Sequence, residues 1–320
     1  MDKSNTFDVG RAVLEDYLAG TSLPTRLDVA TSEPLIAGRL PLDAPLLTFE
    51  TDGVLYTFPM SVVLSYNVIQ GHFDQPWVMT FCNACNTGMV FDPVVDGRKL
   101  HFNRRGSYDG LLIIWDQETN SYWQHITGEC LFGSSAGQQL RQIANTRQMR
   151  VAEALHHPQP LLLSSPLTPE QEKHSRFAEK MRHKPEIAEP MIMATLASED
   201  TRRPRFELGL GVWDGKMSIF FPLVFMHTHD NARIVDFNGL RMLVYHAPEA
   251  VSPVAVYIDD SIKTAYWEGD VLRLNGGAYI KHDMFYRADG RSKPLNCPHQ
   301  LLMRWYGFAT TFPGCGIPRV

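Results

Sequence analysis

WVMTFCNACNTGMVF, residues 77–91, is an apolar run ending at Cys82, a short Asn83-Ala84 spacer, Cys85, and a second apolar run opened by Gly88. Two apolar runs of strand length joined across a few small or polar residues predict adjacent strands with a tight turn between them. The turn then carries two thiols, two residues apart, in a chain with only five cysteines. Working outward, Thr51-Asp52-Gly53, Val95-Asp96-Gly97 and Tyr108-Asp109-Gly110 are further turn signals, each with a glycine that accepts a positive φ. Residues 45–141 therefore read as a β-rich unit containing the CxxC.

The pattern changes over residues 142–203. Thr168-Pro169-Glu170-Gln171-Glu172 offers an N-cap, proline at the first helical position and early acids, and Phe177 and Met181 follow at a spacing of four. The prolines of HHPQPLLLSSPLTP before it predict an extended, irregular path, so this part reads as a helical linker. Residues 1–44 read as a helical or irregular segment. From residue 204 to 320 the β pattern returns.

A self-comparison relates the two β-rich parts. Asp52 to Met60, DGVLYTFPM, aligns with Asp214 to Leu223, DGKMSIFFPL, with one residue inserted. After a stretch of similar length, each copy reaches an apolar strand, Val78–Cys82 in the first and Met242–His246 in the second. The alignment makes Cys82 and His246 equivalent. The fold class expected is mainly β, a β-rich α+β protein, with two related halves from an internal duplication joined by the helical linker.

A dense but balanced charge, 30 basic against 35 acidic residues and net −5, gives no footprint for nucleic acid or an anionic membrane. A small-molecule ligand or a protein partner fits better. Acidic residues near the N-terminus interrupt what would be the apolar core of a secretory signal, so the expected location is cytoplasmic. In a reducing compartment a CxxC is a metal knuckle, a redox pair, or two buried small residues.

As metal ligands, Cys82 and Cys85 need partners from elsewhere. The candidates are His246 from the repeat, the pair His227 and His229, then Cys130, His125, Cys297 and His299. Two thiolates with imidazole suit zinc, copper or iron. The set expected is Cys82, Cys85, His246, His229 and His227 around a transition metal ion, with a redox reaction on a small molecule as its use. Two alternatives stand beside it: a ligand- or protein-binding module with structural cysteines, and a thiol-disulfide oxidoreductase. For the latter, the turn-and-strand sequence after Cys85 lacks the helix N-terminus that activates thioredoxin-like thiols. Asp116 to His125 gathers acids, aromatics and an imidazole, but reads first as a hairpin with Trp115 and Trp123 across from each other. Nucleophile elbow, phosphate loop and dinucleotide fingerprint are all absent.

The stretch from Phe81 to Leu140 resembles the central signature of the domain-of-unknown-function family 3179. There a CPLC-type pair is followed by a VFDR-like strand, a VDG turn, a YDRxT-like hairpin and a W-x-Q-x-TG-x-A segment. Phe58-Pro59 resembles the family's YPL element, Ala152 to Leu163 its HPxTxVL stretch, and Trp305 to Phe308 with Phe312-Pro313 its aromatic C-terminal segment. The resemblance implies no settled activity. Asn83-Ala84 replaces the family's Pro-Leu, and a histidine seven residues after the family's YP proline falls here on Tyr66, while the same offset from Pro222 falls on His229.

Overall fold

The computed structural model describes residues 7–14 and 26–318. Its chain is β-rich, with few helices, of which Pro169–His183 is long and the others are short. The expected Asp-Gly turns form as the residues dictate. Asp52-Gly53, Asp96-Gly97 and Asp109-Gly110 all have both residues at positive φ, the geometry of two-residue hairpins whose twist matches their strands.

In the first half, Pro45–Thr51 and Val54–Pro59 pair as a hairpin, and a helix, Met60–Tyr66, follows Pro59 at once. Val68–His72, Pro76–Cys82 and Thr87–Asp92 then run as an antiparallel meander. In the second half Leu208–Trp213 and Ser218–Pro222 form the hairpin, Leu223–His227 is the helix after Pro222, and Ala232–Phe237, Leu240–Tyr245 and Val254–Tyr257 form the meander. A later strand returns to the first strand of each hairpin: Thr146–Arg150 to Pro45–Thr51, and His299–Arg304 to Leu208–Trp213. A helix follows each returning strand, Val151–Ala154 and Trp305–Thr311. Element order and pairing thus recur; descent of both halves from one duplicated segment is an inference from that likeness.

The boundaries differ from the expectation in two places. Residues 142–203 do not begin as a linker, because Arg141–Ala144 and Thr146–Arg150 are strands that complete the two main sheets of the first half. The helix arrives where its cap places it, at Pro169–His183, with Thr168 and Gln171 closing a reciprocal capping box. Within residues 1–44, positions 15–25 lie outside the described residues, and Leu27–Val29 and Glu33–Pro34 are edge strands rather than helix. Both prefer pairing with an exposed sheet edge to forming an isolated turn.

A third antiparallel sheet carries Phe102–Tyr108, Leu111–Asp116 and Tyr122–Gln124. Trp123 sits opposite Ile114, and Trp115 opposite Tyr122, so the two tryptophans point to opposite faces rather than at each other. Trp123 is fully buried, and its indole N–H donates to the buried carboxylate of Asp116 (2.8 Å), which also accepts from the Thr119 amide (2.6 Å). The acid of this hairpin is thereby committed to holding the turn. The largest core cluster is shared between the halves, joining Cys82, Cys85, Phe91 and Trp123 to Phe220, Met303, Trp305 and Phe308.

Close packing across this shared core needs glycine at Gly211, where a Cβ would run into the ring of Phe308. Gly211→Ala should lower stability by about 1–3 kcal/mol by overpacking, while Gly316→Ala, whose Cβ would meet nothing nearer than 3.5 Å, should change little. Denaturant midpoints measure both; equal midpoints for the two variants would remove Phe308 packing as the reason for the glycine.

Candidate functional site

Cys82 ends the Pro76–Cys82 strand, and Asn83 to Asn86 form the turn into Thr87–Asp92, with Asn86 at φ 58°. Asparagine tolerates that left-handed conformation better than most residues. Each residue of the turn is fastened by a distant part of the chain. Asn83 Oδ1 accepts from Asn67 Nδ2 (2.8 Å), and Asn67 in turn accepts from the Arg104 guanidinium (2.6 Å). The Ala84 carbonyl accepts from Arg304 Nε (3.1 Å), and the Cys85 carbonyl from the Arg304 amide (3.1 Å). The Asn86 carbonyl accepts from Gln148 Nε2 (2.9 Å) and its side-chain oxygen from Arg182 Nε (2.8 Å).

Inside this frame the sulfurs of Cys82 and Cys85 lie at disulfide distance, with their Cα atoms 5.6 Å apart. The Cys85 amide donates to Cys82 Sγ (3.3 Å). Cys85 Sγ is 3.6 Å from His125 Nε2. The histidine is delivered by a turn after Tyr122–Gln124: Gln124 Oε1 accepts from the amides of Ile126 (2.7 Å) and Thr127 (2.6 Å), and Gly128 closes the turn at positive φ. Cys85 and His125 are wholly buried and Cys82 is 5% exposed. Burial pushes the His125 pKa down to about 3, so the ring is neutral at ordinary pH.

Among the described residues, Cys82, Cys85 and His125 are the one group of three or more that could hold a metal ion, their ligand atoms all within 4.8 Å of one another. The fit is incomplete. A closed zinc site takes four ligands, and this group supplies three. A metal-bound histidine usually donates its other N–H to a partner, whereas His125 Nδ1 is buried without one. Because a buried lone pair is tolerated better than an orphaned N–H, the favoured tautomer carries its proton on Nε2, facing sulfur rather than a metal.

The histidines drawn from the repeat are elsewhere. His246 Nε2 donates to the Ala250 carbonyl (2.9 Å), with the His227 ring 6.2 Å from its own. His227 is exposed, and His229 Nδ1 donates to the Phe225 carbonyl (2.8 Å) at the end of its helix. None of the three joins the Cys82 group. The alignment places His246 one residue beyond the strand that corresponds to Pro76–Cys82, but equivalent positions in two halves need not approach each other. His125 was legible as a candidate; its Thr127-Gly128 turn was the signal that it would be turned inward.

The other thiols are quiescent. Burial pushes Cys130 and Cys297 up to about 11 and raises Cys315 as well, so all three stay protonated.

The model of the family described as a protein of unknown function, DUF3179, matches residues 28–263. The chain belongs to this family. The match spans the CxxC turn, His125 and the whole second-half meander, and it ends before the aromatic segment at Trp305 to Pro313. No curated protein and no solved structure matches the chain. No helix among the described residues is long and apolar enough to cross a membrane.

The buried neutral histidine makes a pH prediction. Its folded pKa of about 3 lies below the ordinary 6.5, so the unfolded chain takes the proton first and stability is lost as pH falls from about 6.5 toward 3. This group contributes a slope of about 1.4 kcal/mol per pH unit in that window. Subtracting the stability of His125→Asn from that of the native chain at each pH isolates it; parallel curves between pH 6 and 4 would show that His125 is not held neutral.

Proposed function

We propose that this DUF3179 member carries a thiol-disulfide redox centre at Cys82 and Cys85, positioned by His125. The observation that carries the reading is the joint placement of the two sulfurs at disulfide distance with a backbone N–H on Cys82 and an imidazole on Cys85. An N–H donated to sulfur favours its anionic form; both sulfurs receive one, and Cys82, the only one of the two with any exposure, is the attacking thiol. Cys85 is the resolving thiol. With a pKa of about 3, His125 does not store a proton; it orients the Cys85 sulfur through Nε2. Activation here comes from a hairpin turn rather than from a helix N-terminus.

A second reading has its own support. In the reduced state two sulfurs and a neutral imidazole converge; with the His125 proton moved to Nδ1 this is a soft three-donor set that suits copper(I) better than zinc, since thiolates select soft ions and among the described residues no fourth donor joins the group. The small-molecule substrate of either centre, and a cytoplasmic setting, are part of the proposal.

Equilibration of the protein with graded thiol-disulfide buffers, followed by alkylation and mass measurement, tests the first reading. The Cys82–Cys85 pair should interconvert reversibly at a potential on the order of −200 to −300 mV, the span of cellular thiol pools. Elemental analysis of the reduced protein, isolated without a metal affinity step, runs alongside. A pair that stays reduced in every buffer after long incubation, and under hydrogen peroxide as well, while one copper per chain is retained and is lost in Cys82→Ser, would sink the redox reading and favour the metal.

A further inference from the structure

We infer that the oxidant for this pair is a small neutral hydroperoxide and that disulfide-bearing partners, whether proteins or glutathione disulfide, are shut out. The inference rests on the redox reading above and concerns what can reach it. Disulfide exchange requires a third sulfur, with its substituents, to approach the attacked sulfur in line. Cys82 is 5% exposed and Cys85 not at all. Behind Cys85 stands Gly307, packed so closely that even a Cβ there would meet Cys85 Cβ at 3.2 Å and Met303 Cε at 2.7 Å.

The turn is also unable to swing outward cheaply. Doing so would break the bonds of Ala84 and Cys85 to Arg304, of Asn83 to Asn67, and of Asn86 to Gln148 and Arg182. Each would leave a buried polar group unpaired. In thioredoxin-like sites the attacking sulfur is offered at the surface to a partner; here it is withdrawn into the core shared by both halves. Hydrogen peroxide, uncharged and little larger than water, needs no such opening.

The chemistry balances without another component. The Cys82 sulfur attacks one peroxide oxygen; the O–O bond breaks, an S–O bond forms, and water leaves, giving the sulfenic acid. The Cys85 sulfur then attacks Cys82; the S–S bond forms, the S–O bond breaks, and the hydroxyl leaves with the Cys85 proton as a second water. Two thiols are oxidised by two electrons and one peroxide is reduced. Cys130, Cys297 and Cys315 are free thiols, buried or half-buried, and none joins the group of Cys82, Cys85 and His125.

The test uses the full chain, reduced, treated with a metal chelator and desalted, then exposed separately to hydrogen peroxide and to glutathione disulfide at equal concentration. After quenching, denaturation and alkylation, mass mapping scores closure of Cys82–Cys85. Peroxide should close the pair at least about tenfold faster than glutathione disulfide in the folded protein, and the difference should vanish when the chain is unfolded first. Cys85→Ser should stop with one added oxygen on Cys82, whereas Cys82→Ser should gain none on Cys85. Should Cys85→Ser fail to fold, the two-oxidant comparison on the native chain decides alone. Closure by glutathione disulfide at a rate matching peroxide overturns the inference and leaves the redox centre standing; closure by neither oxidant overturns the redox centre itself.

Discussion

The interaction on which this structure turns is the grip of Arg304 on the CxxC turn. Arg304 is 4% exposed, and its guanidinium donates to the carbonyls of Ala84 (3.1 Å), Phe206 (2.9 Å) and Arg182 (2.6 Å), while its amide donates to the Cys85 carbonyl. These acceptors come from the first half, the approach to the second half, and the long helix between them. A buried cation is costly unless its donors are satisfied, and satisfying this one requires all three segments to be in place. Burial lowers its pKa from the usual guanidinium value, and among the described residues no carboxylate forms an ion pair with it. The cation therefore ties the fold together at the point where the thiols sit.

That setting explains why the site is both built and closed. A CxxC on an exposed hairpin would sample many turn conformations. Here Asn67 and Asn86, both at positive φ, fix the backbone on either side of the pair, and their side chains are used as connectors to Arg104 and Arg182. The spacer residues have different tasks. Asn83 contributes a side-chain acceptor, whereas Ala84 contributes only its carbonyl and a small side chain buried in the core. A Pro-Leu spacer would stiffen the turn from within; Asn-Ala leaves it to be stiffened from outside, which ties the geometry of the thiols to the integrity of the whole fold.

Much of the local structure was legible. The Asp-Gly turns, the helix that starts at Pro169 and the hairpin that bears the cysteines follow from residue types whose conformational preferences are strong and local. The location of the site was legible for the same reason. Its third member, His125, stood among the candidates but was not singled out, because the repeat argument compares positions along strands, and the partner of Cys85 is set by which sheet packs over the turn. That sheet arrives through Trp123, whose burial against Asp116 fixes the depth at which His125 enters. Register escaped sequence reading similarly: Trp115 and Trp123 share a hairpin but not a face, since the pairing is offset by one residue from the symmetric guess. The strands at Arg141–Ala144 and Thr146–Arg150 were hidden by their polar composition, which reflects edge and junction positions rather than a linker.

Recurrent connectivity with unlike chemistry suggests a division of labour between the halves. In the first, the end of the second meander strand is Cys82; in the second, the corresponding strand ends at Tyr245, and the thiol packed against that core, Cys297, is free. What the second half supplies instead is cover. Its returning strand ends in Arg304, and the helix that follows brings Gly307 against Cys85, a position that admits no larger residue without displacing Met303, Leu111 or Cys85 itself. The strand provides the polar grip and the helix provides the apolar seal, one residue after the other in sequence. A closed thiol pair therefore requires both halves, even though Cys82, Cys85 and His125 all belong to the first.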